Sequence, residues 1–238
     1  MRFKAVSDKG NIRKSNEDNY YIDQDKAFFM VADGMGGHAA GEVASQIAAD
    51  VSSDYDFNLE SPVETMENLI NQANQEIISE SREKSHQRGM GTTFSSVIIE
   101  KQVLYYANLG DSRIYVFDSS EEKLQKISKD HSLVGQLLRD GKITEEEAFK
   151  HPKKNIVTQA LGLDREIDID SGLYNLGSDD LILLCTDGLS DLIRKEDMQN
   201  IIINNDNIEK MADELLEKAL ANGGTDNITF IIIEQNNN

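Results

Sequence analysis

Two hydrophobic periodicities share this chain, and the order in which they occur limits its fold more than any other feature. Eight short apolar runs rich in β-branched and aromatic residues, at 2–7, 19–23, 27–32, 94–100, 103–109, 112–118, 181–186 and 227–234, read as strands. Three longer stretches instead repeat their apolar residues every three or four positions, the mark of an amphipathic helix. At 42–52 the stripe is Val43, Ala44, Ile47, Ala48 and Val51; at 63–85 it is Met66, Leu69, Ile70, Ala73 and Ile77. At 208–221 it is Ile208, Met211, Ala212, Leu215, Leu216 and Ala219. Ser61 and Pro62 suit the N-cap and first position of the second helix. Lys101-Gln102 predicts a hairpin turn, and Gly110-Asp111 continues the meander into the next strand. Strands, two helices, a run of strands, an irregular stretch and further strands and helices do not alternate strand with helix. That order disfavours a doubly wound parallel sheet and favours antiparallel sheets covered by amphipathic helices.

The chain has 238 residues, 39% of them hydrophobic, enough for one sizeable domain with its own core. Cys185 is the sole cysteine, so no internal disulfide forms and a reducing compartment fits. Residues 1–11 carry no apolar secretory segment. No apolar run exceeds about seven residues, against the roughly 20 that a spanning helix needs. A soluble, cytoplasmic protein is expected. Net charge is −19, from 43 acidic and 24 basic residues. Such a chain repels nucleic-acid phosphates and anionic lipid, and most of its charge serves solubility.

The placement of certain aspartates is more telling than their number. The run 28–32 leads into Asp33-Gly34, and 181–186 leads into Asp187-Gly188. The run 105–110 reaches Asp111, and Asp226 opens the last strand after Gly223-Gly224. An apolar strand crossing a core delivers its terminal carboxylate to the core's rim. One Asp-Gly after a strand is usually only a turn, but four such sites, two of them near copies (ADGMGG and TDGLSD), ask for more. Converging carboxylates repel one another, which raises their pKa values unless a cation intervenes. Oxygen donors without a matching His or Cys set select a hard ion, Mg²⁺ or Mn²⁺ rather than zinc. An aspartate shared between two ions suggests two-metal hydrolysis of a phosphate ester. Arg13, in the mixed-charge stretch 11–18, offers a guanidinium that grips phosphate through paired hydrogen bonds, although an arginine beside Glu17 and Asp18 is also a common surface ion pair. His38, after the turn Gly34-Met35-Gly36-Gly37, is placed to protonate a leaving alkoxide, although a lone loop histidine is commonly inert.

Eight ordered stretches then make the sequence resemble the metal-dependent (type 2C) serine/threonine protein phosphatases in their compact bacterial form. They are Gly10-Asn11-Ile12-Arg13 with Asn16-Glu17-Asp18-Asn19; Val31-Ala32-Asp33-Gly34-Met35-Gly36-Gly37-His38; Gly91-Thr92-Thr93; Asn108-Leu109-Gly110-Asp111-Ser112-Arg113; Asp130-His131-Ser132; Thr158-Gln159-Ala160-Leu161-Gly162; Cys185-Thr186-Asp187-Gly188-Leu189-Ser190-Asp191; and Gly224-Thr225-Asp226-Asn227-Ile228-Thr229. The resemblance implies an α+β fold, a four-layer α-β-β-α sandwich of two antiparallel sheets flanked by helix pairs. It implies one catalytic domain over 1–238 with a flap at about 129–162, and the polar tail 235–238 reads as frayed.

By the same resemblance, Asp33 bridges two Mn²⁺ or Mg²⁺ ions, Asp187 and Asp226 complete one site, and the Gly34 carbonyl belongs to the other. Glu17 and Asp18 act through metal-bound water, and Asp111 and Asp191 hold a weaker third ion. Arg13 binds substrate phosphate and His38 is a general acid. Cys185, inside the apolar run 181–186, reads as a buried thiol rather than a nucleophile. The implied reaction is in-line attack on phosphoserine or phosphothreonine by a metal-bridging hydroxide without a phosphoenzyme. It would reverse a bacterial Ser/Thr kinase in a monomeric enzyme acting on phosphorylated proteins. The rivals are an aspartyl-phosphate mechanism, a non-catalytic module docking phosphorylated partners, and a structural calcium-binding protein, whose D-x-[DN]-x-[DN]-G spacing is missing.

Overall fold

The computed structural model describes residues 1–36, 40–84, 87–163 and 166–235. Two antiparallel sheets lie face to face. The first has the order β1 (Arg2–Asp8), β11 (Ile228–Glu234), β10 (Leu181–Cys185), β7 (Arg113–Asp118), β8 (Lys123–Lys126). The second runs β2 (Asp18–Asp23), β3 (Phe28–Met35), β5 (Phe94–Glu100), β6 (Val103–Leu109), β9 (Asp170–Asn175), with the two-residue β4 (Gly91–Thr92) paired to the end of β3.

The central strands read as continuous apolar runs because both of their faces are covered. In β3, Phe29 and Val31 point between the sheets with Val97, Ile114, Leu184 and Ile231, whereas Phe28, Met30 and Ala32 pack on α1 (Ala40–Asp54) and α2 (Pro62–Glu83). In β10, Ile182 and Leu184 face the intersheet core, while Leu181, Leu183 and Cys185 join Ile201, Met211 and Leu215 of α6 (Lys195–Asn204) and α7 (Ile208–Ala221). Three apolar layers between four layers of structure follow directly from the period-2 alternation.

Boundaries differ from the sequence expectation by small amounts. Helix α1 begins and ends two residues beyond 42–52, and α7 coincides with 208–221. Ser61 holds the N-cap position of α2, but its hydroxyl makes no cap bond. Thr65 Oγ1 turns back instead to donate to the Asn58 carbonyl at 2.8 Å. Helix α2 stops at Glu83, with Lys84 as its C-cap. The segment 129–162, expected as an irregular flap, carries two short helices, α3 (Leu133–Arg139) and α4 (Glu145–Phe149), before the chain returns to the sheet. A third short helix, α5 (Asp187–Ser190), caps the end of β10.

Candidate metal centre

The strand pairing itself creates the site. In the β2–β3 ladder Asp18 is the direct partner of Asp33. Like charges opposite each other destabilise a sheet, so this register carries a cost that something must offset. At the matching ends of the other sheet, β10 delivers Asp187 as the first residue of α5, and Asp226 precedes β11. Asp111 follows β6 and is 5% exposed.

The electrostatics are those of carboxylates forced together. Burial, then repulsion from Asp18, Asp187, Asp111 and Asp226, pushes Asp33 well above the usual carboxylate range. Burial likewise raises Asp18 to about 7, although hydroxyl hydrogen bonds from Thr229 and Thr186 pull it down. Asp187 is raised to about 6 by burial and by its neighbours Asp191 and Asp226, while a side-chain hydrogen bond with Asp33 partly offsets this. Asp111 is raised by burial and by Asp187. Glu17, also raised by burial, feels Arg13 in the opposite sense.

The nearby cations attach elsewhere: Arg13 Nη2 to Asp226 at 2.7 Å, Arg113 to Asp130 at 3.0 Å and Lys154 to Asp191 at 3.0 Å. The donor set at Asp18, Asp33 and Asp187 is all oxygen, poor in partner cations and largely enclosed by protein. That chemistry fits a hard divalent ion. Among the described residues no three acidic, histidine or cysteine side chains are closed around one point as a ready cage.

Neutral residues hold the carboxylates in place, and their roles could not be read from the sequence. Thr93 Oγ1 accepts from the Asp33 backbone N–H at 2.9 Å and is 2.6 Å from Ser112 Oγ. Thr186 Oγ1 donates to Asp18 at 2.9 Å. Asn227 accepts from Glu17 N–H at 2.8 Å and donates to the carbonyls of Lys9 and Ser15, so it pins the whole loop that carries Arg13. These residues lie inside the motif stretches, but a threonine or asparagine beside a strand carries no signal of its own. Close approach also matters: a Cβ on Gly34 would lie 2.2 Å from the Gly41 carbonyl oxygen and 2.4 Å from that of Glu17. Only glycine lets α1 rest against the end of β3 there.

Arg13, exposed and hydrogen-bonded to Asp226, sits at the edge of the centre; burial lowers its pKa, and Asp226, with Asp33 and Asp187 behind it, more than restores it. Asp191 is near the centre but engaged by Lys154 and, at 4.0 Å, by Arg113. His38 lies outside the described residues. Cys185 is fully buried, and burial pushes its thiol up to about 12, so it has no nucleophilic character. Asp130-His131-Ser132 proves to be scaffolding: Asp130 binds Arg113 and Lys126, His131 Nδ1 accepts from Gly110 N–H, and Ser132 caps α3. Beside the centre, under the flap, lies a cavity of about 350 Å³ reached by Asp111, Asp187, Asp191, Arg113 and Phe149.

A chain with this geometry has relatives. A family model described as "Protein phosphatase 2C" matches residues 13–223. "Serine/threonine phosphatase stp" of Listeria welshimeri is 36% identical over 246 residues, covering 99% of this chain and 96% of that protein. The crystal structure of the Mycobacterium tuberculosis serine/threonine phosphatase PstP/Ppp superposes with a TM-score of 0.91 at 32% identity, over 99% of both chains. The catalytic domain of PstP in complex with two manganese ions gives 0.87 at 32% identity, over 97% of this chain and 96% of that one. The chain belongs to the protein phosphatase 2C family.

Proposed function

We propose that this chain is a metal-dependent protein-serine/threonine phosphatase, hydrolysing phosphoserine and phosphothreonine without a covalent intermediate and reversing a bacterial Ser/Thr kinase. The observation that carries the reading is Asp18 set opposite Asp33 in a sheet, with Asp187 hydrogen-bonded to Asp33 and Arg13 nearby on Asp226. Asp33, Asp187, Asp226 and the Gly34 carbonyl would hold two Mn²⁺ or Mg²⁺ ions, which would supply an activated water and neutralise charge on the phosphoryl oxygens. A weaker third ion is assigned to Asp111 and Asp191.

The chain's own residues do the rest. Arg13 swings between Asp226 and an incoming phosphate, for which its planar guanidinium is suited. Thr93 fixes the backbone of Asp33, and Thr186 holds the Asp18 carboxylate toward the centre. Glu17, fixed through its backbone by Asn227, presents a carboxylate to ordered water. His38 is assigned the proton for the leaving alkoxide. The unit acting is the whole of 1–238, working as a cytoplasmic monomer. No described helix is long and apolar enough to cross a membrane.

The test is release of phosphate from phosphoserine and phosphothreonine peptides with Mn²⁺, abolished by EDTA. Asp33→Ala removes the shared ligand and is expected to cut kcat/KM by about 10²–10³-fold or more, the several kcal/mol of charge stabilisation that the ions supply. It should also remove the Mn²⁺ binding seen by calorimetry. A variant keeping near wild-type kcat, or a stable phosphoaspartate trapped in turnover, would overturn the assignment. Folded protein with no metal-dependent turnover would mean a docking module instead.

A further inference from the structure

Helix α1 does more than close the metal centre. Its first turn rests there: a Cβ on Gly41 would lie 2.2 Å from Glu17 Oε2, and Ser45 Oγ donates to the Glu17 carbonyl at 2.6 Å. From that contact the helix leads outward beside α2, and the two enclose an open groove of about 450 Å³. Val43 and Ile47, half-buried against the core, lie along it. Its other sides carry Glu42 and Asp50 from α1 and Glu76 and Glu80 from α2. Asp50 accepts from Gln46 and Glu76 from Gln72, neutral partners that leave the charge in place; among the described residues only Glu80 of the four has a cation, Lys84. No lysine or arginine is among the described residues that line it. The flap cavity on the other side of the centre is different, with Arg113, Lys126, Lys154, Arg194 and Lys195 among its walls.

Apolar floor and carboxylate rim together select lysine and arginine side chains. Their methylene stems lie on Val43 and Ile47 while their charged ends reach the acids. The dimensions suit a peptide: Glu42 to Asp50 spans about 12 Å of helix, the length of about four extended residues. The Glu42 end of the groove adjoins the centre, because the preceding Gly41 packs against Glu17 and Gly34, which places the groove within reach of residues flanking a phosphorylated one.

We infer that the α1–α2 groove docks a basic segment of the phosphoprotein substrate, on one side of the phosphorylated residue. This rests on the phosphatase reading above, and it narrows the substrate class to phosphorylated residues with lysine or arginine a few positions away.

The experiment compares phosphopeptides identical except for basic, neutral or acidic flanks, alongside p-nitrophenyl phosphate. The wild type should favour basic flanks through KM, and the preference should shrink as salt screens it. The variant Asp50→Asn/Glu76→Gln/Glu80→Gln should lose about tenfold on basic-flanked peptides, as three exposed ion pairs acting together would. Its rates on neutral peptides and on p-nitrophenyl phosphate should not change. Glu42 is left in place because its charge acts on Glu17. A control removing as many charges from the exposed face of α7, Glu209→Gln/Asp213→Asn/Glu217→Gln, should leave the preference intact. Asp50→Lys/Glu76→Lys should move the preference to acidic flanks. A wild type without a basic preference, a groove variant that keeps it, or a control that loses it equally would each overturn the groove. Failure of the phosphatase reading looks different: no peptide, and no p-nitrophenyl phosphate, would be hydrolysed with Mn²⁺.

Discussion

Arg13 is a side chain with two partners to choose from. Its guanidinium holds Asp226 at 2.7 Å, yet it is about half exposed and free to turn toward a phosphate. Arg13→Ala should therefore raise KM for phosphopeptides and lower kcat/KM by about 10–100-fold, the value of one or two hydrogen bonds to a charged group. Calorimetry should find Mn²⁺ affinity nearly unchanged, and a large loss of affinity would give Arg13 a structural role through Asp226. The same contrast marks what a sequence displays. Asp33, Asp187 and Asp226 were legible because an acidic residue at the end of an apolar strand conflicts with its surroundings. Thr93, Thr186 and Asn227 were not, because a hydroxyl or amide conflicts with nothing until the fold shows which carboxylate or loop it holds.

Elements were legible to the extent that their burial left a pattern. Strands β3, β5, β10 and β11 are covered on both faces, so their runs of Phe, Ile, Leu and Val could hardly be anything else. Strand β8, Lys-Leu-Gln-Lys, buries Leu124 alone, and β9, Asp-Ser-Gly-Leu-Tyr-Asn, lies at a sheet edge with Leu173 exposed; neither has the residues that mark a strand. The flap helices left still less to read: α4 has no buried residue and is held by a capping box from Thr144 and Glu147. Its anchorage is electrostatic. Lys195 meets Glu145 at 3.1 Å, Arg194 lies 5.1 Å from the Phe149 ring, and Lys154 reaches both the carboxylate and the carbonyl of Asp191. Lys154 thus occupies a carboxylate assigned to a third ion. Lys154→Met should loosen the flap, seen as faster amide exchange over α3 and α4, and should strengthen cation binding at Asp191 several-fold because no ammonium must be displaced. Unchanged exchange in the variant would mean the flap is held by its other contacts.

At the scale of the whole molecule, the centre sets how stability responds to pH. Asp18 and Asp187, at about 7 and about 6, together with the raised Asp33 and Asp111, bind protons in the folded chain that an unfolded chain would release near pH 4. Between those values the native state holds more protons than the unfolded state, so stability falls as pH rises, by about 1.4 kcal/mol per pH unit for each proton of difference. Burial of His131 lowers its pKa and acts in the opposite sense, one group against five once the raised Glu17 is counted. The depressed Asp130 has its effect only below the ordinary carboxylate range. Self-repulsion in a chain of net charge −19 adds to the main trend, since fewer negative charges remain as the solution is acidified. Protein stripped of metal with EDTA should therefore melt at a higher temperature at pH 5.5 than at pH 7.5, in contrast to a protein whose carboxylates are salt-bridged. Saturating Mn²⁺ should raise the melting temperature most at the higher pH, where the ion no longer competes with bound protons. Scanning calorimetry across that range, with and without Mn²⁺, checks both signs. A metal-free melting temperature that climbed steadily with pH would mean that the strand-end aspartates stand apart, and that the fold does not bear the cost of pairing Asp18 with Asp33.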